Sequence, residues 1–368
     1  MTKLLKCWLN SLIVLLLVTL SLGLSTACWT PSSSAALPAG NAITDGKALL
    51  RYSLPIDNQA VRELQESLED IATQLRANRR WGAISKDLST ASRIVSNRSS
   101  QLLESVPQDR KPQAEVLITE LQTGIADLRQ DAEAKNKDKI WEGRAKLLNL
   151  VSQLEESMVQ SFPFEVPAEY SDLPQLKGRA TVEITTTKGT VTVVVDGYSA
   201  PVTAGNFVDL VHRGFYDGLK FIRAEESYVL QTGDPSGSDQ GFIDPATGKY
   251  RAIPLEVLVE GDPQPTYGIT LEQAGRYRDQ PVLPFSAYGA VAMARPEGDP
   301  NGGSSQFFFF LFEPELTPAG RNLLDGRYSV FGYLTEGKEV LEQLKEGDQI
   351  VSAKVTQGAE NLVEPQVA

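Results

Sequence analysis

Pro163, Pro167 and Pro174 crowd into residues 162–177, and that crowding does most to limit what this chain can become. Proline lacks a backbone N–H and disfavours helical geometry in the residue before it, so no helix runs through the segment. The two sides are punctuated differently. Of the 29 glycines, 23 lie from Gly178 onward, which concentrates the residues that permit tight turns in the C-terminal half. The pattern predicts a helical N-terminal region, a linker over 162–177 and a turn-rich β domain over 178–368.

In the first region Val61, Leu64, Leu68, Ile71 and Leu75 recur at steps of three and four, the spacing of one helix face. Asp57, just after Pro55, is placed to cap that helix. A second stripe runs from Trp81 to Leu103 through Ile84, Leu88 and Val95. A third, after Pro107 and Pro112, uses Leu117, Leu121, Ile125 and Leu128. A fourth uses Ile140, Leu147, Val151, Leu154 and Met158. Four amphipathic helices with short connections predict an antiparallel bundle over 53–161 whose stripes form its core.

Beyond the linker the period shortens to two. Ala180, Val182 and Ile184 alternate with polar residues, as do Val191, Val193 and Val195, and Lys188-Gly189 supplies the turn of a hairpin. Further β-like runs fall at 228–232, 289–294, 306–311, 328–334 and 350–356, with helical patterns near 201–213 and 337–346. Many short strands with two helices predict a closed antiparallel β-barrel.

The amino terminus reads as an address. A basic start with Lys3 and Lys6 precedes the apolar run Leu9–Leu24, which is short for a spanning helix and about right for a leader. Two fates fit residues 1–27. Cleavage after Ala27 or Ala36 is one; the other is lipidation at Cys28, since Leu24-Ser25-Thr26-Ala27-Cys28 is similar to a bacterial lipobox. Residues 28–52 read as a tether. A net charge of −12 repels phosphate backbones and argues against nucleic acid. One histidine, His212, and two cysteines, Cys7 and Cys28, argue against a soft-metal site; no cofactor is expected.

Gly241–Lys249 fails as a phosphate loop, because six residues separate Gly241 from Gly248 and Tyr250 stands where a hydroxyl amino acid is needed. Asp299, Asn301 and Gly302 lack the spacing and closing glutamate of a calcium loop.

A series of blocks from Thr190 to Val355 resembles the cyclophilins, the barrel-fold peptidyl-prolyl isomerases. The blocks are Ala200-Pro201-Val202-Thr203-Ala204-Gly205-Asn206-Phe207, then Phe215-Tyr216-Asp217-Gly218, then Phe221-Ile222-Arg223. They continue through Tyr228-Val229-Leu230-Gln231-Thr232-Gly233-Asp234, Gly289–Ala294, Gly303-Ser304-Ser305-Gln306-Phe307-Phe308 and Leu324–Gly332. With the leader and helical region, and with Ala48–Asn58, Phe162–Pro167 and Gly241–Pro245, the whole mature chain is similar to multidomain cyclophilins of the thylakoid lumen. The leader points to a cyanobacterial relative in the lumen or periplasm. The resemblance implies proline-containing protein clients, photosystem II subunits among them, with membrane association only through a lipid at Cys28. The competing reading keeps the fold as an assembly or scaffold factor of weak or no activity, gated by contact between bundle and barrel.

The resemblance also implies a site. An X–Pro amide resists rotation by about 18–20 kcal/mol because nitrogen shares its lone pair with the carbonyl. At the twisted transition state that pair is localised, and a fixed cationic donor aimed at it stabilises the twisted form selectively. Arg223 takes that role, and Gln231 positions it and bonds the substrate backbone. Phe308, Val229, Tyr228 and Leu324 form the proline pocket, and Ala294 and Arg295 the rail for an extended peptide. Leu323 stands where many cyclophilins carry tryptophan, which implies weak cyclosporin binding. Tyr328 replaces a pocket histidine, and Ala224-Glu225-Glu226-Ser227 replaces an apolar stretch, bringing two negative charges beside Arg223. The stretch from Pro235 to Ser286 is longer than its counterpart, enough to shield the site or add a surface.

Overall fold

The structure, a computed structural model, describes residues 43–77, 80–235, 240–245, 247–312 and 322–365. The leader and Cys28 lie outside the described residues.

The segment expected to be a tether up to residue 52 is instead helical at its end. Asp45 caps helix α1, Gly46–Tyr52, by accepting from the Lys47 amide at 2.9 Å. Leu49 and Leu50 of α1 are buried in the same apolar cluster as Tyr333 of the barrel. A tether reading fails because these leucines have a surface to cover, which local composition does not reveal. Gly46 is needed at this contact, since a Cβ there would lie 2.7 Å from Cβ of Tyr333.

The bundle follows. Helix α2 spans Gln59–Arg76, α3 Trp81–Asn97, α4 Ser99–Glu104, α5 Lys111–Glu133 and α6 Lys137–Met158. Helices α2, α3, α5 and α6 form a ring in which each packs against two neighbours, and the stripes read from the sequence fill its core. Two details differ. Asn58, not Asp57, caps α2, accepting from the Val61 amide at 3.0 Å. The second expected helix breaks at Arg98 into α3 and the short α4.

In the C-terminal region β1 is Gln175–Leu176, β2 Arg179–Thr186, β3 Gly189–Asp196, β4 Arg223–Glu225, β5 Val229–Thr232, β6 Glu256–Val257 and β7 Thr266–Tyr267. Then come β8 Ala290–Met293, β9 Phe307–Phe310, β10 Val330–Glu336, β11 Ile350–Gln357 and β12 Leu362–Val363. Eight of these make one antiparallel sheet in the order β11-β2-β3-β10-β8-β9-β5-β4. It closes between its edge strands through residues 218–221 and 347–350. There Phe221 donates to Asp348 O at 2.8 Å, Ile350 to Leu219 O at 2.9 Å, and Lys220 bridges Gln349. The β1–β12 pair draws the end of the expected linker into the barrel domain. Helix α7, Pro201–His212, sends Phe207 into the barrel core, where Tyr216, Phe307 and Phe331 lie 5.1–5.3 Å away. The second expected barrel helix is one turn, α8, Lys338–Leu341.

A polar seam joins the two regions. Asp196, wholly buried on β3, accepts from Ser53 Oγ at 2.5 Å and from Arg179 Nη2 at 3.3 Å. Arg179 reaches Glu156 of α6 at 3.2 Å. Arg51, also buried, pairs with Glu69 of α2 at 2.9 Å.

Candidate active site on the outer face of the barrel

The four phenylalanines of β9 separate by parity, as strand geometry requires. Phe307 and Phe309 point into the barrel core, whereas Phe308 and Phe310 lie in the outer cluster. Strand register extends Phe308 into a row: Arg223 of β4 faces Gln231 of β5, Gln231 faces Phe308, and Phe308 faces Ala292 of β8. An adjacent row runs Glu225, Val229, Phe310 and Ala290. Residues more than eighty positions apart in the chain are thereby set side by side.

Phe308 is 5% exposed. Tyr328 meets it edge-on at 5.4 Å, and Phe285 stacks beside it with centroids 6.0 Å apart and planes 5° apart. Leu324 packs half-buried against the same cluster. Arg295 lays its guanidinium over the Tyr328 ring at 5.1 Å and donates through Nε and Nη2 to Arg327 O at 2.9 and 2.7 Å. The Ala294 amide donates to Gln306 O at 2.9 Å.

Gln231 donates through Nε2 to Gln306 Oε1 at 2.7 Å, and Gln306 donates to Asp234 Oδ1 at 2.7 Å. Burial raises the Asp234 carboxyl above its ordinary value, partly offset by that bond. The segment before Gln306 is held closely. Tyr216 Oη donates to Ser305 O at 3.0 Å, Ser305 Oγ to Gly233 O at 2.7 Å, and a Cβ on Gly233 would lie 2.4 Å from Ser305 O. With φ of +92°, Gly233 also has the conformation that favours glycine.

Arg223 is half-exposed, and its Nε and Nη2 both donate to Glu225 Oε1, at 2.7 and 2.6 Å. Tyr228 is 37% exposed, its ring edge-on to Phe310 at 5.9 Å. Between them Ser227 adopts φ +56° in the turn where Tyr228 N donates to Glu225 O at 3.0 Å. Val229, between Glu225 and Phe310 in the adjacent row, is buried. Leu323, expected at the pocket, is 88% exposed.

A family model described as cyclophilin type peptidyl-prolyl cis-trans isomerase/CLD matches residues 181–362, and one described as peptidyl-prolyl cis-trans isomerase CYP38-like, PsbQ-like domain matches 45–159. A Synechocystis protein named putative thylakoid lumen peptidyl-prolyl cis-trans isomerase sll0408 is 57% identical over 358 residues, 96% of this chain and 94% of that one. The chain belongs to the cyclophilin-type peptidyl-prolyl isomerases. Its two-domain form is shared by Arabidopsis thaliana peptidyl-prolyl cis-trans isomerase CYP38, chloroplastic, 44% identical over 339 residues, covering 89% of this chain and 77% of that protein. Arabidopsis CYP37, chloroplastic, is 35% identical over 345 residues, covering 87% and 71%.

Sequence reasoning passed over Gln306, Phe310 and Phe285. Gln306, Phe308 and Phe310 share strand parity, so the first two omissions were legible from period two. Phe285 sits in the long insertion and carries no local signal for the ring it supports.

Proposed function

We propose that this cyclophilin catalyses cis–trans isomerisation of X–Pro bonds in proteins of the thylakoid lumen. The observation that carries this reading is the row Arg223, Gln231, Phe308 across three adjacent strands. It places a guanidinium, an amide and an apolar ring on one face, in the order that the chemistry needs. The proline ring packs in the apolar region around Phe308, bounded by Tyr328 and Leu324. The peptide main chain lies along Gln231 and the Ala294–Arg295 segment. Arg223 donates towards the amide nitrogen as its lone pair localises, while the Gln306 bond keeps Gln231 from swinging away.

The clients proposed for this site are proline-containing lumenal proteins, photosystem II subunits among them by the resemblance to the multidomain lumenal cyclophilins. A purely scaffolding role would leave the row without a use. The test is exchange NMR on a short X–Pro peptide with the full chain and with Arg223→Ala. Loss of one charged donor is expected to lower kcat/KM by about 100-fold with the fold retained. A folded wild type no faster than the uncatalysed reaction moves the reading to an assembly factor.

A further inference from the structure

Glu225 stands two residues from Arg223 on the same face of β4, so the two address neighbouring rows of the site: Arg223 that of Phe308, Glu225 that of Phe310. One carboxylate oxygen, Oε1, accepts from both Nε and Nη2 of Arg223. These donors share an edge of the guanidinium, so that edge is already occupied in the free protein. An X–Pro amide must compete for the guanidinium with a full negative charge. The competition is winnable, because both partners are about half-exposed and solvent-exposed ion pairs hold only weakly. Among the described residues Arg223 is the only partner found for the Glu225 carboxylate.

We infer that Glu225 is a positioning residue that makes this cyclophilin favour clients with a lysine or arginine flanking the proline. The client's cation takes over the Glu225 carboxylate, and the Arg223 guanidinium is released to the X–Pro amide. The inference rests on the assignment of Arg223 made above. No bond is made or broken; one ion pair is exchanged for another. The reach is sufficient: the two rows lie two residues apart along the strand, about 7 Å, within the span of a lysine side chain adjoining the proline. Tyr228, 37% exposed, tied to Glu225 O through its backbone amide at 3.0 Å and docked on Phe310, offers a ring to a passing cation. A client with a neutral flank leaves the pair to re-form, and an acidic flank is repelled by the carboxylate.

The test uses the full chain and peptides with Lys, Gln or Glu immediately before or immediately after the proline, followed by exchange NMR at low and high salt. Wild type should isomerise a Lys-flanked peptide about tenfold faster in kcat/KM than the Gln-flanked one, with the ratio falling as salt screens the exchange. Glu225→Gln should raise kcat on the Gln-flanked peptide and bring the ratio towards one. Glu225→Lys should turn the preference to Glu-flanked peptides, a reversal that a merely structural role does not produce. Equal wild-type rates on Lys- and Gln-flanked peptides, whichever side of the proline the flank stands, or a ratio unchanged in Glu225→Gln, overturns the inference. Arg223→Ala separates the two failures: rates lost there with the ratio unmoved in Glu225→Gln reject only the role of Glu225. Rates untouched by Arg223→Ala reject the site assignment itself.

Discussion

Phe285 and Phe308 lie with ring planes 5° apart and centroids 6.0 Å apart, so the long insertion before β8 supplies the side support of the candidate proline pocket. The insertion reaches further into the domain than this ring. Phe285 also meets Phe310 edge-on at 5.3 Å, and the next residue, Ser286, donates through Oγ to Ile43 O at 2.6 Å. Phe285→Ala removes a ring that is 2% exposed and should destabilise the chain by about 3 kcal/mol in denaturant titration. Because Phe308 loses its neighbour, KM for an X–Pro peptide should rise several-fold more than kcat falls. An unchanged KM would show that Phe308 is held by Tyr328 alone.

Gln231 depends on Gln306 for its orientation through the 2.7 Å bond. Gln306→Ala leaves the Gln231 amide without that acceptor, and kcat/KM should fall about tenfold while the melting temperature moves little. Gln306→Glu keeps an acceptor for Gln231 and should recover part of the loss. If both variants match wild type, the two-glutamine arrangement has no bearing on turnover.

Asp196 holds the seam between the N-terminal region and the barrel. Its carboxylate is wholly buried and serves Ser53 and Arg179 together. Asp196→Ala leaves Arg179 with Glu156, Leu50 O and Ser53 Oγ but without its buried carboxylate, and breaking a buried pair by removing one partner costs about 3–5 kcal/mol. Chemical denaturation of the full chain should report a loss of that order. A loss under about 1 kcal/mol would mean that the seam contributes little.

Glu256 of β6 caps the start of α7 with a carboxylate that is almost entirely buried. It accepts from the Thr203 amide at 2.9 Å and the Val202 amide at 3.3 Å. Burial dominates these bonds and pushes the carboxyl up to about 7. The folded state therefore holds a proton that the unfolded chain, near an ordinary glutamate value, gives up. The resulting stabilisation is fully present below the unfolded value near 4.5 and is lost as pH rises through about 7, a span on the order of 3 kcal/mol. Melting temperature should fall between pH 5 and 8, and Glu256→Gln should flatten that slope. A slope identical in the variant would assign it to another group.

Periodicity carried most of the architecture. The stripe through Val61, Leu64, Leu68, Ile71 and Leu75 needs only one face of one helix to be apolar, and all five are buried in the bundle core. The hairpin of β2 and β3 was equally plain, because alternation and a turn are both local. Composition makes helix α1 look like a tether because its leucines are buried with Tyr333 of β10 and with Leu283 and Phe285 of the loop before β8, surfaces made of distant residues. Asn58 displaced Asp57 as the cap for a smaller reason: both are good caps one position apart, and the choice rests on where the backbone leaves extended geometry.

The candidate site divides in the same way. The resemblance to the cyclophilins singled out Arg223, Gln231 and Phe308, and strand parity separated Phe308 from Phe307 and Phe309. By itself the sequence determined a helical region, a proline-rich break and a turn-rich barrel, because periods of 3.6 and 2 and the constraints of proline and glycine act between neighbours. Only the tertiary structure decided that Phe285 supports Phe308, that Gln306 holds Gln231, and that Asp196 joins Ser53 to Arg179. Among the described residues it also left Leu323 88% exposed. Those relationships depend on which strands lie side by side and in what register, and register is set by burial of the whole sheet rather than by any one segment.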